Sequence, residues 1–419
     1  MPVPRRILLT TWGSYGDLFP YLALAIRLKA MGHSPALATC EFYRDMVTAA
    51  GIEFHPMSPD VNPRDTALIA RVMDPAHGTE VILRELIVPH VRAAFNQLRA
   101  AARDAELIVT HPVTFAAPLV ARAMHRRWLS AVLAPSSMFS LTDFPVLPPA
   151  VSLVRLLRST TWTARAFMSL ARRITGPWTK PVRELAAELG LPDAGDPLYE
   201  GQFSPYGTLA LFSPVLGPPQ PDWPPRTRAT GFVFHQEGQD LAPGLRAFLD
   251  AGAPPIVFTL GSSAVGAPGR FWIESVDAIA RLRQRAVLLV GRGVAPPRIG
   301  TSPDVFVADF APHAPLFARA SVVVHHGGVG TTAQALRAGK PMLVVPHAHD
   351  QPDNAFRVRR LGVARVIDAT RYRAGSVASQ LRQLTQHGSY RARAADVHRV
   401  VAAERGMEHA CETMLAACP

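Results

Sequence analysis

The chain has 419 residues, 48% hydrophobic and 18% charged, with a net charge of +12. This is long and apolar enough for two packed domains and excludes a mostly disordered chain. Apart from arginine-rich composition bias, the charge fits anionic nucleotides or an anionic membrane surface; without a basic tail, zinc-ligand spacing or aromatic-interleaved basic stripe, it argues against nucleic acid.

Strand and helix patterns alternate from the start. Residues 5–12 form a buried-strand run, 18–31 a helix stopped by Gly32, and 33–40 a second strand. A helix over 41–50, a strand at 52–57, a long helical stretch near 80–103, a strand at 106–111, a helix at 114–126 and a strand at 127–135 continue the rhythm. Such alternation predicts an α/β fold with a doubly wound parallel sheet and helices on both faces. Residues 136–206 interrupt it with proline turns and a helix pattern through 151–174 that carries Arg155, Arg158, Arg165, Arg172 and Arg173. That segment reads as an amphipathic helix over the sheet, or as a lid over an apolar pocket or a membrane-surface face.

The run PVLGPPQPDWPP (214–225) can be neither helix nor central strand. It predicts a stiff linker, taken as 214–235, between an N-terminal domain at 1–213 and a C-terminal domain at 236–400. Alternation restarts at 254–261, followed by a helix at 269–284, strands at 285–291 and 304–310, and a short helix near 314–319. A strand at 363–369 and two helices end the chain, with 401–419 expected to pack back on the first domain. Two such halves place a cleft between the carboxyl ends of two sheets, where ligands of these sheets bind.

The most informative stretch is 321–354, SVVVHHGGVGTTAQALRAGKPMLVVPHAHDQPDN. It reads as strand, glycine turn, helix, strand and polar loop. His325 ends the strand; Gly327, Gly328 and Gly330 permit close backbone approach, and Val329, Thr331 and Thr332 open the helix. A helix N-terminus there would hold an anion, and a protonated or N–H-donating His325 would stabilise charge on a departing diphosphate. Asp350 and Gln351 offer two acceptors and two donors to neighbouring sugar hydroxyls, while Asp353 reads as a helix N-cap. The P-loop pattern and the dinucleotide fingerprint are both absent.

In the first half, the turn WGSYGDLFP carries Asp17, whose carboxylate would face the cleft as a general base, or else cap a helix. His111 ends another strand of the same sheet and is a second candidate. No DxD pattern and no metal-ligand cluster occurs, so the phosphate charge is expected to be met without a metal or other cofactor. Three cysteines without a disulfide framework, and no signal peptide or apolar run of roughly 20 residues, predict a cytoplasmic protein.

Together, GSYGDLFP (13–20), HHGGVGTT (325–332), HDQPDN (349–354) and the two-half layout resemble the GT-B fold glycosyltransferases of family 1. The stretches at 42–58, 218–235 and 247–263 are similar to the bacterial rhamnolipid rhamnosyltransferase type within it. The resemblance implies two Rossmann-like domains and transfer from a nucleotide sugar with inversion. It implies that His325 contacts the phosphates, that the 328–332 turn holds the diphosphate, and that Phe310, Ala311 and Pro312 border the nucleobase. Gly261 and Ser262 would lie near the phosphates, Asp350 and Gln351 would contact the sugar, and Asp17 would be the base. The plant members' tryptophan and ribose-binding acid have no counterpart at Gly328, Ala333 or Gln334, which points to a dTDP-sugar, with dTDP-rhamnose leading. The expected acceptor is lipophilic, a hydroxy fatty acyl compound or a natural-product aglycone, in a pocket around Trp12, Phe139, Phe144, Trp162, Phe167 and Trp178. A sugar epimerase on the same scaffold is the alternative of another class. Peripheral contact with the cytoplasmic membrane follows from the arginines of 155–173.

Overall fold

In the computed structural model, residues 3–62, 65–191, 193–235, 240–292 and 302–419 are described. They form two sheets in which every strand pairing is parallel. The first contains β1 (Arg6–Thr10), β2 (Ser34–Thr39), β3 (Glu53–Pro56), β4 (Leu107–Thr110), β5 (Arg127–Val132), β6 (Thr208–Ala210) and β7 (Thr227–Ala229). The second contains β8 (Ile256–Thr259), β9 (Ala286–Leu289), β10 (Val305–Ala308), β11 (Val322–His325), β12 (Met342–Val344) and β13 (Ala364–Val366). Their orders are 3-2-1-4-5-6-7 and 10-9-8-11-12-13. Each order reverses once, between β1 and β4 and between β8 and β11. These two switch points are where loops diverge and leave a crevice.

The strands are apolar on both faces because helices cover both faces. In β11, Val323 joins one core with Val257 and Val344, while Val322 and Val324 join the opposite one with Phe258. The period of two assigns each side chain its core.

Several elements differ from the sequence-based expectation. The first sheet does not stop at 213: Thr227–Ala229 adds an edge strand just after the proline run, where an unpaired edge tolerates such flanks. The expected start of the second domain, at 236, lies outside the described residues. The pattern over 151–174 is not one helix but a 3-10 turn (Pro148–Leu153), a short helix (Val154–Leu157) and a longer one (Thr161–Thr175). Thr160 breaks it, its hydroxyl accepting the Thr163 N–H as an N-cap. Three helices rather than two end the chain. In the last, Gly406–Ala417, the residues Ala410, Cys411 and Met414 sit in the core of the first sheet. Among the described residues no helix is long and apolar enough to cross a membrane.

Candidate active site

The switch point of the first sheet joins two residues 94 positions apart. Ser14 caps the helix Tyr15–Ala30, and Asp17 sits in its first turn. Asp17 Oδ2 accepts the Ser14 N–H at 2.8 Å, and the Ser14 hydroxyl accepts the Gly16 N–H at 3.1 Å. Asp17 is thus the far half of a capping box rather than the cap itself. The bonds on Oδ2 leave Oδ1 turned to His111, whose Nε2 lies 3.4 Å away. The Val113 N–H donates to His111 Nδ1 at 3.5 Å, which puts the ring proton on Nε2, toward the carboxylate. His111 is buried, Asp17 about one third exposed. A carboxylate oriented on one side and open on the other can take a proton from a hydroxyl.

The second switch point brings the loop after β8 against the turn after β11. Gly261, at φ +61°, follows β8; Gly328 caps the helix Val329–Arg337. Between them lies the ring of His326. A Cβ on Gly261 would stand 2.3 Å from its Cε1, and one on Gly328 2.4 Å from its Nε2. The two glycines therefore make room for an imidazole as well as for a ligand. Sequence reasoning passed over His326 because its neighbour ends the strand; the doubled histidine was the available signal.

His325 itself is fully buried, and its Nδ1 accepts the Gly327 N–H at 3.1 Å. Burial, with His313 nearby, pushes its pKa down to about 3. Without an anion beside it the ring is held neutral, and its Nε2 is buried without a partner among the described residues. Burial also takes His326 well below its ordinary value, with His325, His347 and His313 adding to the effect. Thr331 lines the cleft, but Thr332 turns inward, its hydroxyl donating to the Gly328 carbonyl at 2.9 Å.

The polar loop after β12 is partly committed to its own structure. Asp350 Oδ2 accepts from the Val329 N–H (3.3 Å) and Asn354 Nδ2 (2.7 Å). Burial, and then the negative charge of Asp17, raise its pKa to about 7. Gln351 Oε1 accepts the N–H groups of His347 (2.9 Å) and Ala348 (3.2 Å), so its amide hydrogens are what it offers a ligand. Asp353 is not the expected N-cap. It is fully buried, pairs with Arg357 Nε at 2.6 Å and accepts the Val146 N–H at 2.9 Å. Arg357 also reaches Asp143 at 2.5 Å and the Leu216 carbonyl at 3.2 Å. Burial opposes all three charges; at Asp353 it outweighs the pairing and raises the carboxyl above its ordinary value, while at Asp143 and Arg357 the pairing wins. The Asp143 carboxyl lies below its ordinary value and the Arg357 guanidinium above its own. This network ties the 143–146 segment to the helix that begins at Gln351.

A cleft of about 570 Å³ lies between the two halves. Gly261, Ser262, Phe310, Val329 and Gly330 line its second-half wall, where the Arg292 guanidinium stands 4.0 Å over the Phe310 ring. Ala311 is buried beneath Phe310, and Pro312 starts the helix His313–Ala318. The first-half wall is Tyr15, Phe19, Phe42 and Met46, with His235 stacked on Phe19 at 5.0 Å. None of the aromatic residues expected around the acceptor is on either wall. Trp12 is buried and donates its indole N–H to the Pro59 carbonyl. Phe139, Phe144 and Phe167 pack with Tyr199 and Met168 in a separate cluster, Trp178 packs against the first core, and Trp162 is 74% exposed. Aromatic density in a proline-rich insertion produced its own small core. Residues after the carboxyl ends of β1 and β2, together with Leu133, Leu211 and Phe232, face the cleft instead.

Residues 274–412 match the family model "Erythromycin biosynthesis protein CIII-like, C-terminal domain", and residues 7–117 match "Glycosyltransferase family 28 N-terminal domain". The O-mycaminosyltylonolide 6-deoxyallosyltransferase of Streptomyces fradiae is 33% identical over 423 residues, covering 97% of this chain and 96% of that protein. The crystal structure of the glycotransferase of kitacinnamycin superposes with a TM-score of 0.73 at 24% identity, covering 100% of both chains. A spinosyn rhamnosyltransferase complexed with thymidine diphosphate superposes at 0.69 with 15% identity, over 98% of this chain and 100% of that one. The two-sheet architecture is that of these glycosyltransferase structures.

Proposed function

This chain belongs to the GT-B glycosyltransferases of family 1, and on that premise we propose that it is a metal-independent, inverting enzyme that glycosylates a natural-product aglycone from a dTDP-deoxysugar. The observation that carries the reading is the Asp17–His111 pair at one switch point, with Asp17 on the helix whose Tyr15, Gly16 and Phe19 line a cleft with a glycine turn and a helix N-terminus on its other wall. Asp17 accepts the proton of the acceptor hydroxyl as that oxygen attacks the anomeric carbon. The bond from that carbon to the diphosphate oxygen breaks, and its electron pair leaves with the nucleotide. His111, its Nε2 at 3.4 Å from Asp17 Oδ1, keeps the carboxylate aimed. The backbone N–H of Gly330, at the helix N-terminus that lines the cleft, meets the charge that develops on the diphosphate. A single displacement inverts the anomeric centre.

The acceptor reading rests on the apolar, aromatic first-half wall and on the relative named for a macrolide substrate. It takes the place of the hydroxy fatty acyl acceptor that the rhamnolipid resemblance suggested. The donor reading rests on that relative's deoxysugar name and on structural neighbours holding thymidine diphosphate. Thermal-shift titration with dTDP, UDP and GDP tests the nucleotide, since stabilisation grows with occupancy. dTDP is expected to raise the unfolding temperature most; an equal or larger shift with UDP would refute the donor assignment. Incubation with dTDP-deoxysugars and macrolide aglycones, followed by mass spectrometry, tests transfer. Epimerised donor with no glycosylated product would place the chain among the epimerases.

A further inference from the structure

From Phe144 to Arg183 the sequence holds no aspartate or glutamate, yet it carries Arg155, Arg158, Arg165, Arg172, Arg173, Lys180 and Arg183. In the same stretch Val151, Leu153, Leu156, Trp162, Leu170 and Ile174 are all exposed. Leaving so many large apolar side chains in water on one short segment is unusual for a surface that meets nothing.

The helix Thr161–Thr175 orders them. Its inward face, Ala164 and Met168, is buried on the cluster that includes Phe144 and Tyr199. Trp162, Ala166, Leu170 and Ile174 recur every four residues, so they form one row along the outward face. Arg165 and Arg173 flank that row and enter none of the ion pairs among the described residues; Arg155, on the preceding short helix, is likewise unpaired. Arg172, by contrast, pairs with Glu200, and Arg158 with Asp143. An apolar row bordered by unpaired arginines and ending in an exposed tryptophan has the make-up of a helix lying in a lipid headgroup layer.

We propose that the 151–174 face docks on an anionic lipid bilayer, with the row Trp162, Leu170 and Ile174 entering the headgroup region and Arg155, Arg165 and Arg173 meeting lipid phosphates. Charge selects this occupant. A second copy of the same face would bring like arginines together, and a neutral surface would leave them unmatched.

The test is cosedimentation of the full chain with vesicles of equal parts phosphatidylglycerol and phosphatidylcholine, against vesicles of phosphatidylcholine alone. Binding is expected to the anionic vesicles, to weaken as salt rises, and to fall about 30-fold in the double variant Arg165→Gln/Arg173→Gln. Leu170→Gln/Ile174→Gln should also weaken it, while glycosyl transfer to a water-soluble acceptor stays at the wild-type rate in all variants. These side chains are exposed, so the variants fold. Three results would each overturn the proposal: no binding to anionic vesicles; binding undiminished by either double variant; or, without vesicle binding, retention on immobilised polyglutamate or a dimer abolished by Leu170→Gln/Ile174→Gln. The last pair would assign the face to an acidic protein or to a second copy.

Discussion

Replacing Arg357 by methionine should loosen the contact between the 143–146 segment and the helix Gln351–Arg360. The variant keeps the aliphatic stem but removes the cation that Asp353 and Asp143 share at 2.6 and 2.5 Å. Asp143 still has Arg158. Asp353 is fully buried and keeps a single donor, the Val146 N–H. Breaking a buried pair on one side costs about 3–5 kcal/mol, because the remaining charge has no partner and no water. Arg357 Nη2, however, is buried without a partner, and removing it relieves part of that cost. The expected loss is therefore near the lower end, about 3 kcal/mol. Hydrogen exchange read by mass spectrometry reports it locally: protection of the Val146 amide should fall by about 100-fold, while β1 and β11 stay protected. Adding Asp353→Asn removes the orphaned charge, so the double variant should recover more than about 1 kcal/mol of the loss. A cost below about 1 kcal/mol for Arg357→Met, or losses that simply add in the double variant, would refute the view that this buried network holds the two halves together.

Asp17→Asn should lower kcat by about 10²–10⁴ while leaving the dTDP thermal shift unchanged, and His111→Gln should cost less and move the pH–rate profile. Wild-type turnover in Asp17→Asn would remove the base assignment. His313 and His325 are held neutral, with burial pushing their pKa values to about 4 and about 3. The unfolded chain binds protons at the ordinary value near 6.5, before the folded chain does. Stability is thus full above that pH and is lost as pH falls toward 3–4, a slope that acid titration of the unfolding temperature should show and that His325→Asn should reduce. Gly328→Ala would put a Cβ 2.4 Å from His326 Nε2, so a cost of about 1–3 kcal/mol and weaker dTDP binding are expected, read by thermal shift with and without nucleotide. An alanine variant with unchanged binding would mean that the turn has more room than this geometry allows.

The alternation of apolar strand runs with helical periodicity was enough to fix an α/β fold, because a parallel strand covered on both faces must be apolar throughout. The glycine turn after β11 was legible as a turn for a similar reason: glycine at the end of an apolar strand gives the backbone the freedom that a sharp turn into a helix needs. The proline run at 214–225 likewise announced an interruption by what proline forbids. Composition failed where packing decided the outcome. Aromatic residues at 139–178 looked like a pocket and are mostly a core of their own, and Asp353 looked like a helix cap and is half of a buried ion pair.

What the sequence settled by itself was periodicity: which segments are strands, where the glycine turn falls, and hence that two Rossmann-like α/β domains follow each other. What needed the tertiary structure was adjacency. The strand order 3-2-1-4 sets β4 beside β1 and so brings His111 to 3.4 Å from Asp17, and the order 9-8-11 sets the His326 ring between Gly261 and Gly328. Strand order depends on crossovers tens of residues long, and no local pattern of residues encodes which two strands will become neighbours.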